Sequence, residues 1–253
     1  MDTAAGQDYD RSDNGEPHVD VMRAFQAGLA TMDQSGKALS IAVEHAGDLT
    51  LTTGYVVACD PFSLDDRPSA FTEQVPAGRH PVLLSVAHYD DGDQRVACAL
   101  LRFSDSAAVR WGLATTAAQD PATLNPGETF GYGVDAGTGC FADRTVIESL
   151  LADAGALDLE TLPMFATEGD MHPSPDYVAK VTAVSDYFQE FNDQLLQELG
   201  QTNYLFANVT VDVADGANII AFSSGWGDGR YASFFGYDMQ GELVCLVTDF
   251  QVL

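Results

Sequence analysis

The stretch YLFANVTVDVADGANIIAFSSGWGDGRYASFFGYDMQGELVCLVTDFQVL, Tyr204 to Leu253, decides the fold class. Its runs Tyr204 to Val213, Ala217 to Ser223, Arg230 to Tyr237 and Leu243 to Leu253 are dense in β-branched and aromatic residues. Asp215-Gly216, Gly225 to Gly229 and Gln240-Gly241 punctuate them as turns do, so each run reads as a strand. Connections this short join antiparallel neighbours, which predicts a C-terminal antiparallel meander lying in one sheet.

Upstream, Asp176 to Leu199 carries Val178, Val181, Val184, Phe188, Phe191, Leu195 and Leu199 at three- and four-residue spacing. That period predicts one long amphipathic helix, entered at Ser174-Pro175 and followed by Gly200, with its aromatic residues in the core. Pro81 to Tyr89 and Gln94 to Phe103 flank Asp90-Asp91-Gly92-Asp93 as a hairpin, and Val109 to Ala114 is a further strand holding Trp111 in the core. Between Leu39 and Ala58 successive strands are predicted, with turns at Ala46-Gly47-Asp48 and Thr53-Gly54. Short helices are expected over Val19 to Ala30, with Val21, Met22, Phe25 and Leu29 on one face, and over Thr145 to Ala152. Phe62 to Gly78, Ala117 to Glu128 and Pro163 to Pro175 read as loops. The expected fold is therefore α+β: strand-rich, mainly antiparallel sheets in a sandwich-like arrangement, with one long and two short helices. Residues 18–253 are expected to form a single globular domain after a disordered acidic tail over 1–17.

A formal charge of -27 arises from 38 acidic against 11 basic residues, of which only Lys37 and Lys180 are lysines. A field of that sign repels phosphate backbones and anionic lipid headgroups, which argues against nucleic acid and membrane surfaces as partners. It suits a basic protein partner, and it equally suits a heavily hydrated surface in a saline cytoplasm. Cys59, Cys98, Cys140 and Cys245 lie far apart, with no C-x-x-C, and read as small core residues. Met1 is followed by acids rather than a basic region and an apolar run, and no stretch is long enough to span a bilayer, so a cytoplasmic location is expected. The scattered histidines and the lack of G-x-S-x-G give nucleophilic catalysis no support.

Three Gly-rich acidic segments stand out: Gly133 to Asp143, Gly225 to Tyr231, and Val247 to Phe250. Together with Asp60-Pro61-Phe62 and Pro76 to Val82, they resemble the signature of a bacterial family known as domain of unknown function four-two-four-one. The resemblance runs from about Leu49 to the C-terminus and touches Asp60, Arg79, Asp135, Gly137, Asp143, Trp226, Asp228, Tyr231, Asp238 and Asp249. It implies a self-contained domain and carries no catalytic role for any residue.

Asp135, Asp143, Asp228 and Asp249 fall at strand ends or turns, where convergence at one sheet rim could hold a divalent cation as cofactor through oxygens. The other reading is that each aspartate serves its own turn by hydrogen-bonding backbone N–H groups. Asp135 to Gly139, including Thr138, is only a weak match to a phosphate-cradling turn. Trp226 and Tyr231 flank Asp228 and form either an exposed recognition surface or part of the core. Arg79 is expected in a salt bridge with one of the aspartates or on an anionic substrate group. Two functions follow. One is a non-catalytic binding protein, immunity-like, that neutralises a basic partner; the other is a divalent-metal-dependent hydrolase or ligand-binding enzyme built on Asp135, Asp143, Asp228 and Asp249 with Arg79 orienting the substrate.

Overall fold

Residues 16–167, 171–212 and 215–253 are described by a computed structural model. The strands and helices stack in three layers. The first is an antiparallel seven-stranded sheet in the order β1 (Ala30–Met32), β2 (Ala38–Leu51), β4 (Gly78–Tyr89), β5 (Gln94–Arg102), β13 (Leu243–Asp249), β12 (Ser233–Tyr237), β6 (Arg110–Leu113). It is curled into a half-barrel. The second is a four-stranded antiparallel sheet in the order β3 (Val56–Cys59), β8 (Thr138–Asp143), β10 (Ala217–Ser223), β9 (Phe206–Asp212). A short ribbon pairs β7 (Tyr132–Val134) with β11 (Gly229–Tyr231).

Strand β10 shows why the layers stack. Ile220 and Phe222 face the large sheet, packing with Leu49, Leu84 and Phe141, whereas Ile219 and Ala221 face the opposite way. A strand buried on both faces needs a continuous apolar run, and Ile219 to Phe222 supplies it. The far side is covered by α2 (Arg144–Asp153) and α3 (Pro175–Gln201), through Ile147, Leu150, Val184, Phe191 and Leu195. The outer face of the large sheet packs under α1 (Val21–Ala24), where Val21 and Ala24 meet Leu100, Phe234 and Val247.

The hairpin β4–β5 turns at Asp90–Asp93 as expected. The long helix begins at the Ser174 cap, whose side chain accepts from the Tyr177 N–H, and Phe191 and Leu195 are buried. All four cysteines are buried and unbridged, with the Sγ atoms of the cross-strand pair Cys59 and Cys140 3.5 Å apart. Trp111 packs, partly buried, against the outer core. The expected acidic tail lies outside the described residues except for Glu16 and Pro17.

Three expectations are corrected. The C-terminal strands are antiparallel throughout, but β9–β10 belong to the small sheet and β12–β13 to the large one, because the chain crosses between layers at Ser224 to Tyr231. The turn expected at Ala46-Gly47-Asp48 is a bulge inside one 14-residue strand, held straight by its pairing with β4. The first helix is a single turn with Met22 exposed, since the chain pairs as β1 from Ala30 onward. No helix among the described residues is long and apolar enough to cross a membrane.

Candidate functional site

The Gly-rich acidic segments meet beside the β7–β11 ribbon. Asp60, at the end of β3, is buried, and its carboxylate accepts the N–H groups of Phe62 at 2.8 Å and of Asp135 and Ala136 at 2.9 Å. That pulls the 135–137 loop onto β3. Asp228 reaches across to the same loop and accepts the Gly137 N–H at 3.1 Å, while Ser224 N–H donates to Gly137 O. Both Gly-rich loops are therefore fixed by carboxylate-to-backbone bonds, the stronger kind because the acceptor is charged. Asp135 and Asp228 remain exposed beside them.

Tyr231 is buried edge-on against Phe250, and its hydroxyl sits 2.8 Å from Gly227 O and 3.1 Å from Ser224 O. Burial pushes its phenol above the ordinary value, so it stays a donor, and it ties the 224–228 loop to the core. Of the expected aromatic pair, only Trp226 faces solvent, with 53% of its surface exposed. Its ring lies against Tyr89, and the Arg95 guanidinium sits 4.9 Å from the ring centre while pairing with Asp93 at 3.0 Å.

The remaining aspartates lie elsewhere. Asp143, at the far end of β8, caps α2: it accepts from the N–H groups of Thr53 and Thr145 at 2.9 and 3.0 Å and from both their hydroxyls. Burial raises its carboxyl, but the Thr145 and Thr53 donors outweigh this and hold it below the ordinary value. Asp249 is buried, and desolvation lifts its carboxyl despite the Gln251 N–H that it accepts at 2.8 Å. Arg79 is exposed and its nearest carboxylate is that of Asp48, at 3.9 Å. Thr138 is buried, its hydroxyl directed at Ala136 O. Among the described residues no three His, Cys, Asp or Glu side chains converge as a cation group, so Asp135, Asp143 and Asp228 do not assemble the proposed metal site. The reason is length: β8 runs its full extent between the 135–137 loop and Asp143.

Two clefts flank the ribbon and share Gly229 and Arg230. One, of about 470 Å³, is walled by Asp60, Ser63, Ser69, Thr116 and Asp135. The other, of about 400 Å³, lies between the Asp33-Gln34-Ser35 loop, Trp226 and Asp228, and Phe250-Gln251. Asp33 is buried there and takes up its own loop's N–H groups and the Tyr89 hydroxyl. Across the molecule, α3 turns Asp186, Glu190 and Asp193 to solvent, with no basic side chain within ion-pair distance among the described residues. Lys180 is engaged by Asp158 at 3.3 Å and Arg144 by Glu148 at 3.6 Å. Val178, Val181, Leu196, Met164 and Phe165 are exposed in the same layer. Ser174 bonds Met164 O and Pro163 O, which seats that apolar segment at the start of α3.

Residues 49–248 match the model of the family described as protein of unknown function DUF4241. The chain belongs to this family. No curated protein and no solved structure matches it. The DUF4241 span takes in Asp60, both Gly-rich loops, Asp143 and Trp226, and stops one residue before Asp249. It leaves out the Asp33 to Ser35 wall of the second cleft. Sequence reasoning missed Asp33, Tyr89 and Arg95 as parts of that cleft's surroundings; only the Asp33-Gln34-Ser35-Gly36 turn chemistry hinted at a fixed loop there.

Proposed function

We propose that this DUF4241 member is a non-catalytic binding protein of the bacterial cytoplasm that docks a basic protein on the acidic outer face of its helical layer, as an immunity protein does. The observation that carries the reading is the α3 surface, where Asp186, Glu190 and Asp193, four and three residues apart, stand exposed with no ion-pair partner among the described residues. Like charges at that spacing cost a helix about 0.2–0.5 kcal/mol per pair, and a basic segment laid along that stripe would relieve the repulsion. Lys180, Arg144, Lys37 and Arg95 already have carboxylate partners elsewhere. The Asp143 carboxylate supports a non-catalytic role, since backbone N–H groups and threonine hydroxyls take up its oxygens.

The test is affinity capture at low salt, identification of the captured basic protein, and titration of the purified pair. The variant carrying Asp186→Lys, Glu190→Lys and Asp193→Lys is expected to bind about tenfold more weakly or worse, with a shallower salt dependence. Capture of no basic protein, or equal affinity for wild type and variant, sinks the proposal.

A further inference from the structure

We infer that the cleft beside Trp226 is a binding site for a neutral saccharide, with the indole as its stacking platform. The site is built rather than incidental. Tyr231, Ser224 and Asp228 tie the 224–228 loop to Gly227 O, Ser224 O and Gly137 N, so the indole is held out to solvent by a loop with little freedom. Preorganisation of this kind lowers the ordering cost of binding. Tyr89 and Arg95 contact the ring, and Arg95 is itself held by Asp93, which fixes the indole plane. On the opposite wall Gln251 adopts a left-handed conformation with φ 57, uncommon for a residue other than glycine, and such strain persists where the surroundings enforce a particular orientation.

The chemistry of the walls selects the ligand. The cleft's about 400 Å³ falls within the usual range for small-molecule sites, roughly 300–1,000 Å³. Its half-exposed indole offers an apolar face suited to the C–H face of a sugar ring. Around it, Asp228 accepts, Arg230 donates, and the Gln251 carboxamide does both, a set matched to ring hydroxyls. Asp33 is excluded from that role because Ser35, Lys37 and Tyr89 already occupy its oxygens. In a chain of charge -27, Arg230 lines this cleft together with Asp33 and Asp228, while Lys37 and Arg95 nearby are paired with Asp91 and Asp93. A cation would meet Arg230, and an anion would meet Asp228 and the field of the whole protein, which leaves a neutral polyhydroxylated ring. The inference is independent of the helical docking face.

The two tryptophans allow a direct reading. In ¹H–¹⁵N spectra of the full chain, assigned with Trp111→Phe and Trp226→Phe, titration with cellobiose, maltose, lactose and diacetylchitobiose is expected to move the Trp226 indole signal saturably with at least one sugar and leave Trp111 in place. Trp226→Ala is expected to weaken that binding by about tenfold or more, read from Asp228 and Arg230 amides, and the α3 triple lysine variant to leave it unchanged. If none of the four sugars moves the Trp226 signal at its solubility limit, or if the neutral nucleoside adenosine moves it and no sugar does, the inference is overturned. Undiminished sugar binding by Trp226→Ala overturns the placement.

Discussion

Asp143 shows what a single carboxylate does in this protein. It closes the turn at Thr53, caps α2 through Thr145, and accepts hydroxyls from both, with no surface of its own in water. Removing it strands two N–H groups and a helix start. Asp143→Ala is expected to lower stability by about 2–3 kcal/mol at neutral pH, measured by urea unfolding. The sign of its pH dependence follows from a carboxyl held below its ordinary value of 3.8. Such a group stabilises fully above the unfolded value and loses that contribution as pH falls through the folded one, so the deficit of the variant should narrow in acid. A deficit independent of pH down to that range argues against the account. The sequence offered two readings of the aspartates, a shared cation or separate turns. Asp143 serves its own turn through the Thr145 N–H, whereas Asp228 accepts the Gly137 N–H of another loop.

At the scale of elements, β2 holds the clearest lesson. Ala46-Gly47-Asp48 has the composition of a turn, and a glycine bulge has the same composition. The difference is made by β4, which pairs with β2 on both sides of Gly47, and by Asn218, whose Nδ2 reaches Asp48 O and Asn208 Oδ1. Gly47 has φ +133, and a Cβ there would lie 2.4 Å from Asn208 Nδ2. Gly47→Ala is therefore expected to cost about 1–3 kcal/mol in thermal or urea unfolding, and an unchanged midpoint would show the bulge to be dispensable. In α3 the helical period was legible, yet Val178 and Val181 face solvent because the small sheet and α2 support only the part of the helix from Val184 to Leu199. Periodicity locates an apolar stripe; it does not say how far along the helix a partner layer extends.

For the whole molecule, charge dominates. Self-repulsion among 38 acids against 11 bases should weaken the folded state whenever screening is poor. The Debye length falls from about 30 Å at 0.01 M salt to about 3 Å at 1 M. The melting temperature is accordingly expected to rise with sodium chloride over that range; a flat or falling profile would mean that the acids are compensated in a way the ion pairs do not reveal.

By itself the sequence determined what neighbours along the chain decide: strand-rich antiparallel character, the β4–β5 hairpin, the two longer helices and the Ser174 cap of the longest, the burial of the cysteines and the sign of the field. Only the tertiary structure decided which sheet each C-terminal hairpin joins, that Gly47 bulges, and which aspartates are buried. The physical reason is sequence distance. Asp60 meets the backbone of a loop 75 residues away, Asp143 meets Thr53 across 90, and Asp48 meets Asn218 across 170. Bonds of that span leave no local pattern, and they set the positions of Trp226, Asp228 and Arg230 around the cleft.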